Sequence, residues 1–314
     1  MPGQPAEVVR VGAPPRLRPS ERVTAAYAAV LAALCALFAA RIPGWPLYAL
    51  GHLAVPAASW ALARSRSLAA RRLRDFDLLY VIPAFFFMDC TLVHRVHPVD
   101  YDAQLIAIDR AIGGTAVLAG MHAVETPLLT ALAKWAWISY YGVALLPGVA
   151  LYLRRDRSAF EEARLAYALA WCGSYLGYFL VPAEGPGYHA EAIGVPQPAW
   201  TGHSAALKGV IYALEGEARD TFPSGHAAIA ALTIFLCARH RLAAVARLAV
   251  PLSVAILAST LYLRYHYLVD VLAGTALGIG AGAVAAAWMG RATRGAGGDF
   301  VPYYKGDRGE LEGA

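Results

Sequence analysis

Apolar residues run through this chain in long blocks, unlike the alternation of a half-buried strand or the narrow stripe of a surface helix. Thr24 to Ala40, Trp135 to Leu153 and Leu165 to Ala183 contain no Asp, Glu, Lys, Arg or His, and Leu248 to Leu263 is equally clean behind Arg247. Four further blocks are broken only sparsely: Pro43 to Ala63 by His52, Phe76 to Val93 by Asp77 and Asp89, Thr221 to Ala238 by His226, and Tyr267 to Gly290 by Asp270. A helix needs about 20 mostly apolar residues to cross the hydrocarbon core, where its backbone must satisfy its own hydrogen bonds. The pattern therefore predicts an all-α fold, a polytopic transmembrane helix bundle of about eight spans. A membrane domain is expected over residues 24–290, between cytoplasmic tails at 1–23 and 291–314.

Composition agrees with this reading, since 58% hydrophobic and 16% charged residues over 314 positions exclude an ordinary soluble domain. A net charge of +5 raises the question of nucleic acid, but the placement of the charges answers it against that partner. Twenty of the 27 basic residues fall in alternate segments between the blocks, around Arg10 to Arg22, Arg64 to Arg74, Arg154 to Arg164, Arg239 to Arg247 and Arg291 to Arg308. The positive-inside rule makes those segments cytoplasmic, which puts both termini inside. The first block is expected to be a retained anchor rather than a secretory signal, because a tail of more than 20 residues precedes it and a second block follows at once. Cys35, Cys90, Cys172 and Cys237 lie one to a block without metal-like spacing, and read as small buried apolar residues.

On the opposite, extracytoplasmic side lie two long segments, His94 to Lys134 and Pro182 to Asp220. Within the first, Leu105, Ile108 and Ile112 recur at helical spacing with Asp102 and Asp109 elsewhere on the wheel, which predicts a helix lying along the interface. Ionisable residues inside spans cost roughly 2.5 to 3.5 kcal/mol at mid-helix and are functional candidates by default. His226 follows Pro223, Ser224 and Gly225 at the start of the sixth block, and His266 and Asp270 open the eighth. Both blocks begin on the extracytoplasmic side, so the two histidines are expected at similar depth. Four residues apart, His266 and Asp270 share one helix face, where the carboxylate is expected to accept one imidazole proton and fix the tautomer. Taken alone, the pair suits a polar tie between helices equally well. The other segment favours chemistry: Ser224 makes an N-cap, Gly225 allows close backbone approach, and free N–H groups at a helix start attract phosphate.

Phe222-Pro223-Ser224-Gly225-His226, with His266-Tyr267-Leu268-Val269-Asp270 downstream, resembles the second and third motifs of the type 2 phosphatidic acid phosphatase superfamily. The Pro- and Gly-rich stretch Tyr178 to Tyr188 and the tyrosine after His266 resemble its inositol phosphorylceramide synthase-like (inositolphosphotransferase) branch. The resemblance implies a six-helix phosphatase-like catalytic core over about residues 130–290. It further implies that His266 attacks phosphorus to form a phosphohistidine, that Asp270 orients it, and that His226 protonates the leaving group. Ser224, Gly225 and Arg264 would hold the substrate, no metal or other cofactor is required, and an alcohol or water accepts the phosphoryl group.

Two departures bear on substrate. The phosphatase branch's first motif is missing, since Tyr175 to Tyr188 has neither Lys nor Arg, and Thr260 stands where the third motif carries arginine. A monoester carries nearly two negative charges near neutral pH and a diester one, so the shortage of fixed positive charge suggests a diester donor such as a phospholipid headgroup. Lys208 and Arg219 are the alternative sources of charge. Phosphatidic acid or isoprenyl pyrophosphate hydrolysis is the competing enzymatic reading, and a proton-coupled transporter the non-enzymatic one. His94 and His97 lack a third metal ligand at suitable spacing. His189, His203, Glu184 and Glu191 read as loop residues over the site, Asp89 as a partner of Arg95 or a cavity residue, and Trp135, Trp137, Tyr140 and Tyr141 as an interfacial aromatic belt.

Overall fold

The computed structural model describes residues 17–65, 67–198 and 219–295, and among these it is helical with no strand. In chain order the helices are α1 (Pro19–Leu37), α2 (Trp45–Arg64), α3 (Leu68–Asp75), α4 (Leu78–Asp89), α5 (Val93–Val96), α6 (Asp102–Ala111) and α7 (Gly114–Ala123). They continue with α8 (Pro127–Ile138), α9 (Tyr140–Val143), α10 (Leu145–Leu153), α11 (Arg157–Leu180), α12 (Ala190–Ile193), α13 (Gly225–Arg239), α14 (Ala243–Tyr262) and α15 (Leu268–Gly295).

All eight apolar blocks are helical, with boundaries moved by capping residues. The helix α1 begins five residues before its block because Pro19 occupies its first turn and Glu21 accepts the Arg18 N–H at 2.6 Å. Asp156 caps α11 by accepting from the Ala159 N–H at 3.1 Å, so that helix opens in charged sequence. Four stretches are long and apolar enough to cross a membrane: Pro19–Leu37, Pro127–Leu153, Ala243–Tyr262 and Leu268–Arg291. Leu78–Asp89 and Gly225–Arg239 are apolar but shorter.

The 24-residue α11 is the central element, packed against α1, α4, α10, α13 and α15. Around its first turns the charges are buried and paired. Glu21 accepts from Arg74 at 2.5 and 2.6 Å, Arg18 and Arg157 converge on Asp75, and Arg164 reaches Asp77 and Glu161, both at 2.7 Å. Deeper in the bundle, His52 donates or accepts at Asp89 Oδ1 over 2.9 Å and contacts the Tyr48 carbonyl at 2.7 Å, while the Tyr27 hydroxyl donates to the other Asp89 oxygen. Asp89 is thus held by His52 and Tyr27 rather than by Arg95.

The closest helix pair joins α13 to α15 through glycines. A Cβ at Gly274 would overlap the Ser224 carbonyl, one at Gly278 the Ala228 carbonyl, and one at Gly282 the Phe235 ring. At four-residue spacing these positions form a stripe that brings two backbones together, as small residues do between membrane helices. Gly177 on α11 does the same for Pro223. The start of α13 is therefore wedged between the end of α11 and the first turns of α15.

The helix expected along the interface forms as α6: Ile108 and Ile112 of its apolar stripe are exposed and Leu105 is buried, and Asp102 and Asp109, off that stripe, are buried as well. Backbone N–H groups of two neighbouring segments hold the carboxylates inward. Asp102 accepts from Glu184 and Gly185, each at 2.9 Å, and Asp109 from Val269 at 3.0 Å.

Candidate active site

Ser224 caps α13, its Oγ accepting from the Ala227 N–H at 3.2 Å, and its own N–H donates to the Asp270 carbonyl at 3.1 Å. One hydrogen bond thus links the starts of α13 and α15. Gly225 sits beneath Tyr178, where a Cβ would come within 2.8 Å of the hydroxyl. His226 and His266, 40 positions apart in the chain, have ring centroids 6.1 Å apart at 55°.

His266 Nδ1 lies 2.9 Å from the Thr221 carbonyl oxygen. A carbonyl only accepts, so this nitrogen carries the proton and Nε2 keeps a lone pair. Asp270 stands beside the same ring at ion-pair distance. Its Oδ2 is 3.7 Å from His266 Nδ1, beyond hydrogen-bond range, and accepts from the Tyr267 N–H at 2.8 Å. The carboxylate is close enough to stabilise a positively charged ring, while Thr221 fixes the tautomer. Its Oδ1 is buried without a hydrogen-bond partner. His226 stacks on Trp137 at 5.1 Å and 17°, with Tyr140 at 4.2 Å, and its Nε2 is buried and unpartnered.

Both imidazoles line a cavity of about 370 Å³. Leu79, Ile82 and Phe86 of α4, with Leu145, Trp171 and Tyr175, form its apolar wall, and Asp220, Glu184 and Thr221 lie at the histidine end. Among the described residues that line it there is no Lys or Arg. Burial pushes the Asp220 carboxyl above the usual carboxylate range, with His266 nearby pulling the other way.

A sequence model of the PAP2 superfamily matches residues 103–284, more than half of the chain. This chain belongs to the PAP2 superfamily. No curated protein and no solved structure matches it. Membership marks a phosphatase or phosphotransferase, and with the four membrane-length apolar stretches it fits an integral membrane protein. The superfamily match takes in α6 to most of α15, hence Ser224, Gly225, His226, His266 and Asp270, and leaves α1 to α5 outside.

Not every candidate substrate contact of this PAP2 chain reaches the cavity. Arg264 is buried at 1% exposure with φ of +56°, but does not line it. Its guanidinium pairs with Glu125 and donates to the Tyr262 carbonyl, so the carboxylate of the preceding loop draws it away from the histidines. Arg219 pairs with Asp100 at 2.8 Å and approaches Glu184 at 3.6 Å. Lys208 and His203 lie outside the described residues. At the position of the missing arginine, the Thr260 carbonyl accepts from the Tyr265 and His266 N–H groups at 3.0 and 3.3 Å, which shapes the turn before α15. His97 contacts the Phe179 carbonyl at 3.0 Å, and among the described residues no group of three or more His, Cys, Asp or Glu is placed to hold a metal.

The aromatic cluster divides. Trp135 and Tyr141 are exposed as a belt requires, but Trp137 and Tyr140 turn inward onto His226. Asp220 also escaped the sequence reading, although an acidic residue directly before an apolar block that opens on a helix cap was a usable signal. The Pro- and Gly-rich stretch both lines the cavity, through Tyr178, Glu184 and Tyr188, and packs on the site: Gly185, with φ of +96°, passes so close to Tyr265 and Thr221 that a Cβ would lie 2.8 Å from the Tyr265 carbonyl oxygen and 2.9 Å from Thr221 Oγ1.

Proposed function

We propose that this PAP2 protein is a lipid phosphoester phosphotransferase or phosphatase that works through a phosphohistidine on His266. The observation that carries the reading is the pair of imidazoles at the polar end of one largely apolar cavity, with His266 Nδ1 engaged by Thr221 and Nε2 left as a lone pair. In the first step Nε2 attacks phosphorus, the bond to the leaving oxygen breaks, and protonated His226 gives that oxygen its proton. In the second, an alcohol or water attacks the phosphohistidine and returns a proton to His226, while the N–P electrons go back to His266. Phosphate oxygens would be held by N–H groups at the start of α13, beside Ser224 and Gly225. Asp270 would stabilise the ring while it carries phosphorus. No metal takes part in these steps, so turnover is expected to survive chelation.

The donor in this reading is a diester of the phospholipid type, as in an inositolphosphotransferase. Two carboxylates and no described Lys or Arg line the cavity, a poor match for a doubly charged monoester. The apolar wall along α4 suits a hydrocarbon tail. In this reading both termini are cytoplasmic and the site faces the extracytoplasmic side, which the arginine distribution supports.

Purified protein incubated with phosphate-labelled lipids, with and without inositol or another polyol, tests this. Label trapped on the wild type and absent from His266→Ala is expected, with phosphatidylinositol or another diester turned over faster than phosphatidic acid. Clear preference for the monoester would remove the diester assignment. Turnover without a labelled protein would remove the phosphohistidine.

A further inference from the structure

We propose that Asp102 and Asp109 of α6 are positioning residues for the segment His266 to Asp270; their effect on catalysis rests on the function proposed above. The segment lacks part of its own capping. Tyr267 stands at the N-cap of α15, and Asp270, three residues on, accepts its N–H at 2.8 Å, which is one half of a capping box. The reciprocal half needs a side-chain oxygen at the cap that accepts from the first-turn N–H groups, and tyrosine has none within reach.

Asp109 supplies that oxygen from another helix, its Oδ1 accepting from the Val269 N–H at 3.0 Å, with the Leu268 N–H also bonded to the carboxylate. The group is 1% exposed, its other oxygen has no hydrogen-bond partner, and a Cβ at Gly114 would overlap it, so the carboxylate has a fitted seat. Seven residues earlier on the same helical face, Asp102 Oδ1 accepts from the Tyr267 hydroxyl at 2.8 Å and from the Gly185 N–H at 2.9 Å. Its Oδ2 accepts from the Glu184 N–H at 2.9 Å. The helix α6 thus grips both the backbone after His266 and the loop that packs on Thr221, whose carbonyl sets the His266 tautomer.

Three variants and two readouts test this: Asp109→Leu removes both acceptors, Asp109→Asn keeps one, and Tyr267→Phe removes only the hydroxyl held by Asp102. Nitrogen NMR of ¹⁵N-histidine protein reads the His266 ring directly and does not depend on turnover. The wild type is expected to show an Nδ1-protonated ring and Asp109→Leu a mixture of tautomers. With a turned-over lipid, Asp109→Leu is expected to lower kcat about 100-fold with KM little changed, as a loosened catalytic geometry does. Asp109→Asn should recover most of that loss, and Tyr267→Phe should lower kcat about tenfold. An unchanged His266 spectrum in both Asp109→Leu and Tyr267→Phe would overturn the proposal, as would equal damage from Asn and Leu at position 109. Should Asp109→Leu fail to fold, Tyr267→Phe decides alone. A wild type that turns over no phosphoester would sink the functional reading and leave the spectral result standing.

Discussion

Around the first turns of α11 every buried carboxylate described above faces a guanidinium, whereas beyond its other end His226 Nε2 and one oxygen each of Asp270 and Asp109 are buried without a hydrogen-bond partner. Both regions bury polar groups at a cost, and the first offsets more of it through ion pairs, although Arg18 and Arg164 each keep one guanidinium nitrogen without a hydrogen-bond partner. Paired charge of this kind locks helices in register. His226 lines the cavity, so its unpaired nitrogen is open to something that arrives from outside, whereas the unpartnered oxygens of Asp270 and Asp109 belong to residues off its lining. The difference separates what holds this bundle together from what it does.

The sharpest way to break the comparison is to exchange the consequences. His266→Ala is expected to lower turnover by roughly 10⁴-fold or more, as loss of a nucleophile does, while the melting temperature in detergent stays close to wild type. A collapse of folding instead would make His266 a structural tie. Glu21→Ala should do the reverse. It leaves Arg74 buried without its carboxylate, and a chemical-denaturation series should show a loss of about 3–5 kcal/mol while the folded fraction keeps its kcat.

Smaller changes sharpen the boundary between the two regions. Ser224→Ala removes the α13 cap and is expected to cost about 1 kcal/mol of stability, with a larger proportional loss in kcat because the proposed mechanism has the same turn hold phosphate. Asp220 gives the smallest effect. Its carboxyl is raised by burial, so the native state holds the proton at pH values where the unfolded chain has released it. Stability should therefore fall as pH rises from the ordinary carboxylate value through the raised one, and Asp220→Asn should flatten that slope in melts taken across the range. An identical slope in the variant would assign the dependence to another group.

The blocks and the two histidine segments were legible in the sequence because each rests on local signals, namely run length, a cap, and a four-residue spacing. What escaped depends on long-range partners. Whether Arg264 meets substrate or Glu125 is decided by a loop 139 positions away in the chain. The inward turn of Trp137 and Tyr140, three residues apart on Pro127–Leu153, reflects which side of that stretch meets His226, a partner far along the chain. The partners of Asp102 and Asp109 were not legible because helical spacing reports which residues share a face, without saying which neighbour that face will meet. The four-residue spacing brought the Asp270 carboxylate beside the His266 ring, at 3.7 Å, and could not tell that the Tyr267 N–H would bond to the same oxygen.

The glycine stripe of α15 gives the distance between the two imidazoles an unusual origin. Because Gly274 and Gly278 rest directly on carbonyl groups of the neighbouring chain segment, the separation of the two backbones that carry the imidazoles is gauged by main chain against main chain. Attempts to retune the enzyme for other substrates have freedom along the cavity wall and almost none at those hydrogen-sized contacts.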